Sequence, residues 1–235
     1  MIGAEAPAGV RACVFDAYGT LFDASAATAR TRDELGDRAD ALATLWRSKQ
    51  LEYSWLRSLR GDYVDFWHVT GQSLDYALGV LGLRDPALRS RLMELYFVLD
   101  AFPDVRDALM EIKSAGLKTA ILSNGSPSML TAAVHHACLE DLLDAVISVD
   151  PVRIYKPHPT VYQLAVDRLK LPAERICFVS ANYWDASGAA LFGFRAIWIN
   201  RAGAMPDALP GEPEHEIDSL AALPALLGAG DSSQS

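Results

Sequence analysis

The residues able to do chemistry stand behind short apolar runs. Asp16 follows residues 12–15, Ser123 follows 117–122, Lys156 sits in the loop after 145–149, and Ser180 follows 176–179. An ionised Asp is rarely buried without partners, so Asp16 is either a turn-former and cap or a carboxylate placed to meet a ligand. Lys156 lies in Lys156-Pro157-His158-Pro159, whose prolines fix the backbone on both sides; its alternative is a solvated surface lysine. Ser123-Asn124-Gly125 offers uncharged donors, or an ordinary turn. Asp185, behind Ser180-Ala181-Asn182-Tyr183-Trp184, is an acid in reach of the same edge or the cap of the next helix.

The elements that must position these groups alternate. Residues 12–15 are a continuous apolar run, the mark of a parallel strand buried on both faces, and Gly19 gives the turn after Asp16 its backbone freedom. From residue 102 the pattern predicts helix 104–115, strand 117–122, helix 127–137, strand 145–149, helix 160–169, strand 176–179, a helix rich in small residues, and strand 196–199. Strands alternating with helices imply a parallel sheet covered on both faces. Carboxyl ends of parallel strands share one edge, so Asp16, Ser123, Lys156 and Ser180 are expected in a single crevice.

Between these parts, residues 23–100 carry no strand signal. Asp23-Ala24-Ser25 can cap a helix that runs on toward Trp46, and Leu42, Leu45, Trp46, Lys49, Tyr53 and Leu56 recur as on one helix face. Further helical patterns cover 63–69, 73–81 and 86–98, the last opened by Asp85-Pro86. The block reads as a helical insertion. The expected division is a core of residues 1–22 and 101–235, with a small, polar and disordered tail at 228–235, and an inserted cap of residues 23–100.

The 235 residues are 51% hydrophobic, enough for a sizeable core. A net charge of −9 argues against a nucleic-acid partner, which needs a basic face. Cys13, Cys138 and Cys177 are isolated, without zinc spacing, and point to a reducing, cytoplasmic setting. No secretory leader and no membrane-length apolar stretch is read in the sequence, so a soluble protein is expected.

In order, these four segments resemble the haloacid dehalogenase superfamily, whose members share a Rossmann-like α/β core with a parallel sheet and an inserted helical cap. Two departures separate the chain from that superfamily's magnesium-dependent phosphatases. Tyr18 stands where a phosphatase has the Asp that protonates a leaving alkoxide, and Ala181 stands at the position of a usual metal-contacting Asp. A halide leaves without a proton, and a hard cation wants several oxygen ligands. The resemblance therefore implies carbon–halogen cleavage with no metal and no cofactor. Phe15-Asp16-Ala17-Tyr18-Gly19-Thr20-Leu21-Phe22, Leu45-Trp46-Arg47-Ser48-Lys49-Gln50-Leu51-Glu52-Tyr53, Ser123-Asn124-Gly125, Lys156-Pro157 and the segment from Ser180 to Gly188 are similar to the L-2-haloacid dehalogenase family itself.

That resemblance implies a mechanism. Asp16 attacks the halogen-bearing carbon of a short-chain 2-haloalkanoate from the rear and forms an ester, which water hydrolyses to a 2-hydroxy acid with inversion. Arg47 receives the halide, and Lys156 keeps Asp16 ionised. Ser123 and Asn124, with backbone groups at Thr20, bind the substrate carboxylate. Ser180, Asn182 and Asp185 position the water and hold Lys156. Tyr18, Leu51, Phe66 and Trp184 form an apolar wall, and Tyr162 lends a supporting hydrogen bond. The family also implies a homodimer. The alternatives are another superfamily hydrolase, either a phosphatase or an enzyme opening a small strained ring, and a non-catalytic binding protein.

Overall fold

A computed structural model describes residues 9–228. Residues 1–8 and nearly all of the expected tail at 228–235 lie outside the described residues. Six parallel strands form one sheet in the order β3-β2-β1-β4-β5-β6: β1 Ala12–Phe15, β2 Lys118–Ser123, β3 Ala145–Ser148, β4 Ile176–Ser180, β5 Arg195–Ile199 and β6 His215–Ile217. The first five lie within a residue or so of the runs read from sequence. β6 was not foreseen. It is three residues long and only half-buried, so it carries no apolar run, and pairing with Ile197–Ile199 of β5 supplies what its own composition lacks.

Every residue of β1 is buried, and β1 is flanked on both sides, by β2 and β4. The chain moves from β1 outward through β2 to β3, then returns to lay β4 on β1's other side. The strand order reverses there, and the crevice beyond the carboxyl ends of β1 and β4 is the ordinary ligand position of an open α/β sheet. Helices α6 Val105–Ser114, α7 Pro127–His136, α8 Pro159–Leu169 and α9 Tyr183–Phe192 alternate with the strands, and α10 Leu223–Leu226 follows β6. They cover the sheet.

The block between β1 and α6 is helical, as expected, with boundaries of its own. The run toward Trp46 is not one helix. It breaks into α1 Ala26–Ala29, α2 Arg32–Leu35 and a 3-10 turn at Gly36–Arg38 before α3 Ala39–Arg60 begins. Thr28 and Thr31 turn their hydroxyls onto the carbonyls of Ser25, Ala27 and Thr28, competing with the helix for its own acceptors. The patterns at 63–69 and 73–81 instead fuse into one helix, α4 Phe66–Val80, started by Asp65, whose side chain accepts from the His68 amide. Asp85 caps α5 Pro86–Phe97 in the expected way, accepting from Ala87 N. The buried face of α3 also departs from expectation. It runs through Ala39, Leu42, Trp46, Gln50 and Ser54, leaving Lys49 and Tyr53 half-buried and Leu56 exposed. The chain enters and leaves this block side by side: Asp23 N donates to Asp100 O at 2.9 Å and Phe102 N to Leu21 O at 2.9 Å.

Candidate active site

Asp16 is the first residue beyond β1, anchored by its amide to Val179 O at 2.9 Å. The chain turns at once, with Gly19 at φ +90°, a region L side chains rarely adopt. The turn is fixed from two sides. Ala181 N donates to Thr20 Oγ1 at 2.8 Å, and the Arg201 guanidinium donates to Thr20 O at 3.2 Å while it forms a bidentate pair with Asp104. The turn after Asp16 is thereby tied to the residue that follows β4.

Lys156 reaches the same point from the loop before α8. Its side chain is only 1% exposed, and its Nζ lies 3.1 Å from Asp16 Oδ1 and 2.9 Å from Asp185 Oδ2. Burial opposes its charge, but Asp16 and Asp185 outweigh burial and hold its pKa above the ordinary lysine value. Asp185, in the first turn of α9, is pushed up by burial and by the Asp16 charge, against the pull of Lys156 and Tyr162. Two carboxyl groups thus share one ammonium in a buried cluster. Tyr162 of α8 completes it, its hydroxyl donating to Asp185 Oδ1 at 2.9 Å. Gly188 permits this approach: a Cβ there would sit 2.7 Å from the Tyr162 hydroxyl and 2.8 Å from Pro157 Cβ.

The second Asp16 oxygen, Oδ2, accepts from Asn182 Nδ2 at 3.0 Å. Asn182 Oδ1 in turn accepts from Arg47 Nη2 at 3.2 Å, so a guanidinium of the helical block is linked to Asp16 through one amide. With one hydrogen bond to each oxygen, Asp16 retains free lone pairs. A cavity of about 260 Å³ opens beside this contact, lined by Tyr18, Trp46, Arg47, Gln50, Tyr96 and Asn182 among others.

The remaining residues singled out in the sequence fall in two groups. Ser123 ends β2 and accepts from Gly125 N at 3.1 Å, Asn124 Oδ1 accepts from Lys156 N at 3.0 Å, and Ser180 Oγ accepts from Asn182 N at 3.1 Å. These contacts leave the Ser123 hydroxyl proton and the Asn124 amide protons without an acceptor among the described residues. Tyr18 is buried, with Phe66 stacked on it at 6.1 Å and Tyr96 at 5.5 Å; its hydroxyl has no partner among the described residues. Leu51 is half-buried, and neither it nor Phe66 lines the cavity beside Arg47. Trp184 packs edge-on against Trp55 and borders a separate groove with Pro157 and Pro159. Gln50, Tyr96 and Arg201 were not anticipated. The signal available for Gln50 was its place one turn after Arg47.

The donor set does not suit a divalent cation. Ala181 offers no side-chain oxygen, and Asp185 is committed to Lys156 and Tyr162. Among the described residues no group of three His, Cys, Asp or Glu side chains is arranged to hold one.

A sequence model of a hydrolase family, haloacid dehalogenase-like hydrolase, matches residues 10–193. The chain belongs to this family. It is 48% identical over 219 residues to (S)-2-haloacid dehalogenase 4A of Burkholderia cepacia, covering 93% of this hydrolase and 95% of that protein. Among solved structures, one described as a dehalogenase superposes with a TM-score of 0.92 at 47% identity, covering 94% of this chain and 98% of that one. Another is L-2-haloacid dehalogenase from Xanthobacter autotrophicus with chloropropionic acid covalently bound, with a TM-score of 0.87, 38% identity, and coverage of 95% and 100%.

Proposed function

We propose that this hydrolase converts short-chain L-2-haloalkanoates to D-2-hydroxyalkanoates and halide through an ester on Asp16. The observation that carries the proposal is the Asp16 carboxylate, held by Lys156 on one oxygen and by Asn182 and then Arg47 on the other. An Asp16 oxygen attacks C2, the carbon–halogen bond breaks, and the electron pair leaves with the halide toward Arg47 and Asn182. Water then attacks the Asp16 carbonyl carbon, with Asp185 as the acceptor of its proton. The bond between the Asp16 carbonyl carbon and the ester oxygen then breaks, the departing alkoxide takes the proton back from Asp185, and the hydroxy acid leaves with an oxygen that belonged to Asp16. Tyr18 in place of an acid suits a leaving group that needs no proton. Ser123 and Asn124 keep donors free for the substrate carboxylate, backbone groups at Thr20 add to them, and Ser180 orders the loop that carries Asn182. Tyr162 steadies Asp185, while Phe66 backs Tyr18; Leu51 and Trp184 belong to the outer apolar surroundings. The covalently bound chloropropionic acid in the Xanthobacter autotrophicus relative supports the ester.

The proposal extends to organisation. Residues 23–100 serve as a cap hinged at the paired segments around Asp23 and Phe102, on a core of residues 1–22 and 101–235. Leu56, Leu59, Tyr76 and Val80 are exposed apolar residues of that cap and suit a homodimer. Cytoplasmic residence fits three free cysteines, two of them buried side by side on β1 and β4. No helix among the described residues is long and apolar enough to cross a membrane.

The test is halide release from L- and D-2-chloropropionate with excess EDTA, with p-nitrophenyl phosphate as a parallel substrate. Chloride from the L isomer alone, insensitive to EDTA, is the expected result. Magnesium-dependent phosphate release with no chloride would refute it. Single turnover in oxygen-18 water should leave label on Asp16; an unlabelled protein would mean direct attack by water.

A further inference from the structure

Gln50 lies on the buried face of α3, one turn beyond Arg47, and is 1% exposed. A buried carboxamide is costly unless its groups are paired, and here the pairing is directional. The Thr70 hydroxyl has one proton, and it goes to Phe66 O at 2.7 Å. Toward Gln50, 2.8 Å away, Thr70 Oγ1 can therefore only accept, and the group facing it must be the Gln50 amide nitrogen. The carboxamide oxygen is left pointing the other way, at Arg47 Nη1, 2.8 Å distant. The Tyr96 hydroxyl bridges both ends of the amide at 3.3 and 3.4 Å. Trp46 and Ser73 both donate to the Thr70 carbonyl, so the residue that fixes Gln50 is itself fixed.

We propose that Gln50 is a positioning residue that aims the Arg47 guanidinium at the reacting centre, the second member of a chain running Thr70, Gln50, Arg47, Asn182, Asp16. The inference rests on the haloacid reading above. Arg47 has four rotatable side-chain bonds and a half-buried position, so one anchor near its own helix decides where the free face of the guanidinium points. The step that needs that aim is halide departure, where negative charge develops. Ester hydrolysis at the Asp16 carbonyl does not need it.

The two steps therefore separate a positioning role from a merely structural one. Wild type, Gln50→Met and Thr70→Val are compared in single turnovers with L-2-chloropropionate and L-2-bromopropionate, following ester formation and decay by intact-protein mass. Gln50→Met, which keeps volume and loses the acceptor, should slow ester formation about 10- to 100-fold, the effect of losing one hydrogen bond to a charged group. Ester decay should stay within about twofold, since no Gln50 contact reaches Asp185. Chloride should suffer more than bromide, its charge being less diffuse. Thr70→Val, which frees the amide to turn over, should show the same signature more weakly, and it decides the question if Gln50→Met does not fold. Unchanged ester formation, or equal slowing of both steps with a lowered melting temperature, would overturn the role of Gln50 alone. A wild-type enzyme that forms no ester from either haloacid would overturn the haloacid reading and this inference with it.

Discussion

Replacing Lys156 by Met tests the centre of the site most severely. The ammonium lies 3.1 Å from Asp16 and 2.9 Å from Asp185, and all three groups are nearly inaccessible to water. At an effective dielectric near 20, each contact is worth ~5 kcal/mol of Coulomb energy. The loss is smaller than their sum, because a buried carboxylate left without its cation takes up a proton instead. Breaking one side of a buried pair costs about 3–5 kcal/mol, a fall in melting temperature of about 6–20 °C for a chain of this size. The pH dependence gives the sharper criterion. Asp185 already titrates above the ordinary carboxylate value through burial and the Asp16 charge, and it loses the cation that restrained it. A carboxyl whose folded pKa is raised contributes stability that is present below its unfolded value and lost as pH rises through the folded one. The deficit of Lys156→Met against wild type should therefore be smallest in acid, below the ordinary carboxylate range, and grow as pH rises through and above that range. Urea melts of both proteins at a series of pH values measure it. A deficit that is absent, or the same at every pH, would refute the shared-ammonium account.

Three further outcomes follow from the same geometry. Asp16 and Asp185 hold the Lys156 pKa above the ordinary lysine value against burial, so wild-type ester formation in single turnovers should persist through the ordinary lysine range; in Asp185→Asn, which stalls at the ester, the alkaline limb of that same step should move to lower pH, and a limb that stays put would count against the ion pair. Gly188→Ala places a methyl 2.7 Å from the Tyr162 hydroxyl, so it should destabilise by about 1–3 kcal/mol and lower kcat, measured by thermal melts and steady-state rates. Asp104 is pulled below the usual carboxylate range: burial opposes this, but Arg201, Ser219 and the Leu220 amide outweigh it. Its contribution is present above the unfolded value and lost as pH falls through the folded one. Asp104→Asn should thus cost about 1–3 kcal/mol at neutral pH and progressively less in acid, as urea melts would record.

What the sequence disclosed tracks how burial is written into it. β1 and β4 lie between other strands and bury every residue, so their composition alone marks them, and the polar residues Asp16, just after β1, and Ser180, at the end of β4, are conspicuous. β6, paired on one side and half-buried, leaves no such mark. The parallel sheet also explains why Asp16, Ser123, Lys156 and Ser180 were expected on one edge, since topology does the convergence whatever the loops do. The cap obeys a different logic. Its long helix was read from apolar spacing, which led to Leu56 on the surface and passed over Gln50 and Ser54 in the interior. A buried polar residue looks like a solvated one until its partners are known, and those partners are remote: Thr70 lies 20 residues from Gln50, and Asn182 lies 135 from Arg47. Hydrophobic periodicity reports which face is dry only when the dry face is apolar. Where a helix carries a hydrogen-bonded chain through its packed side, the chain is visible only after the fold has closed around it, and that is the condition under which Gln50 acquires a direction.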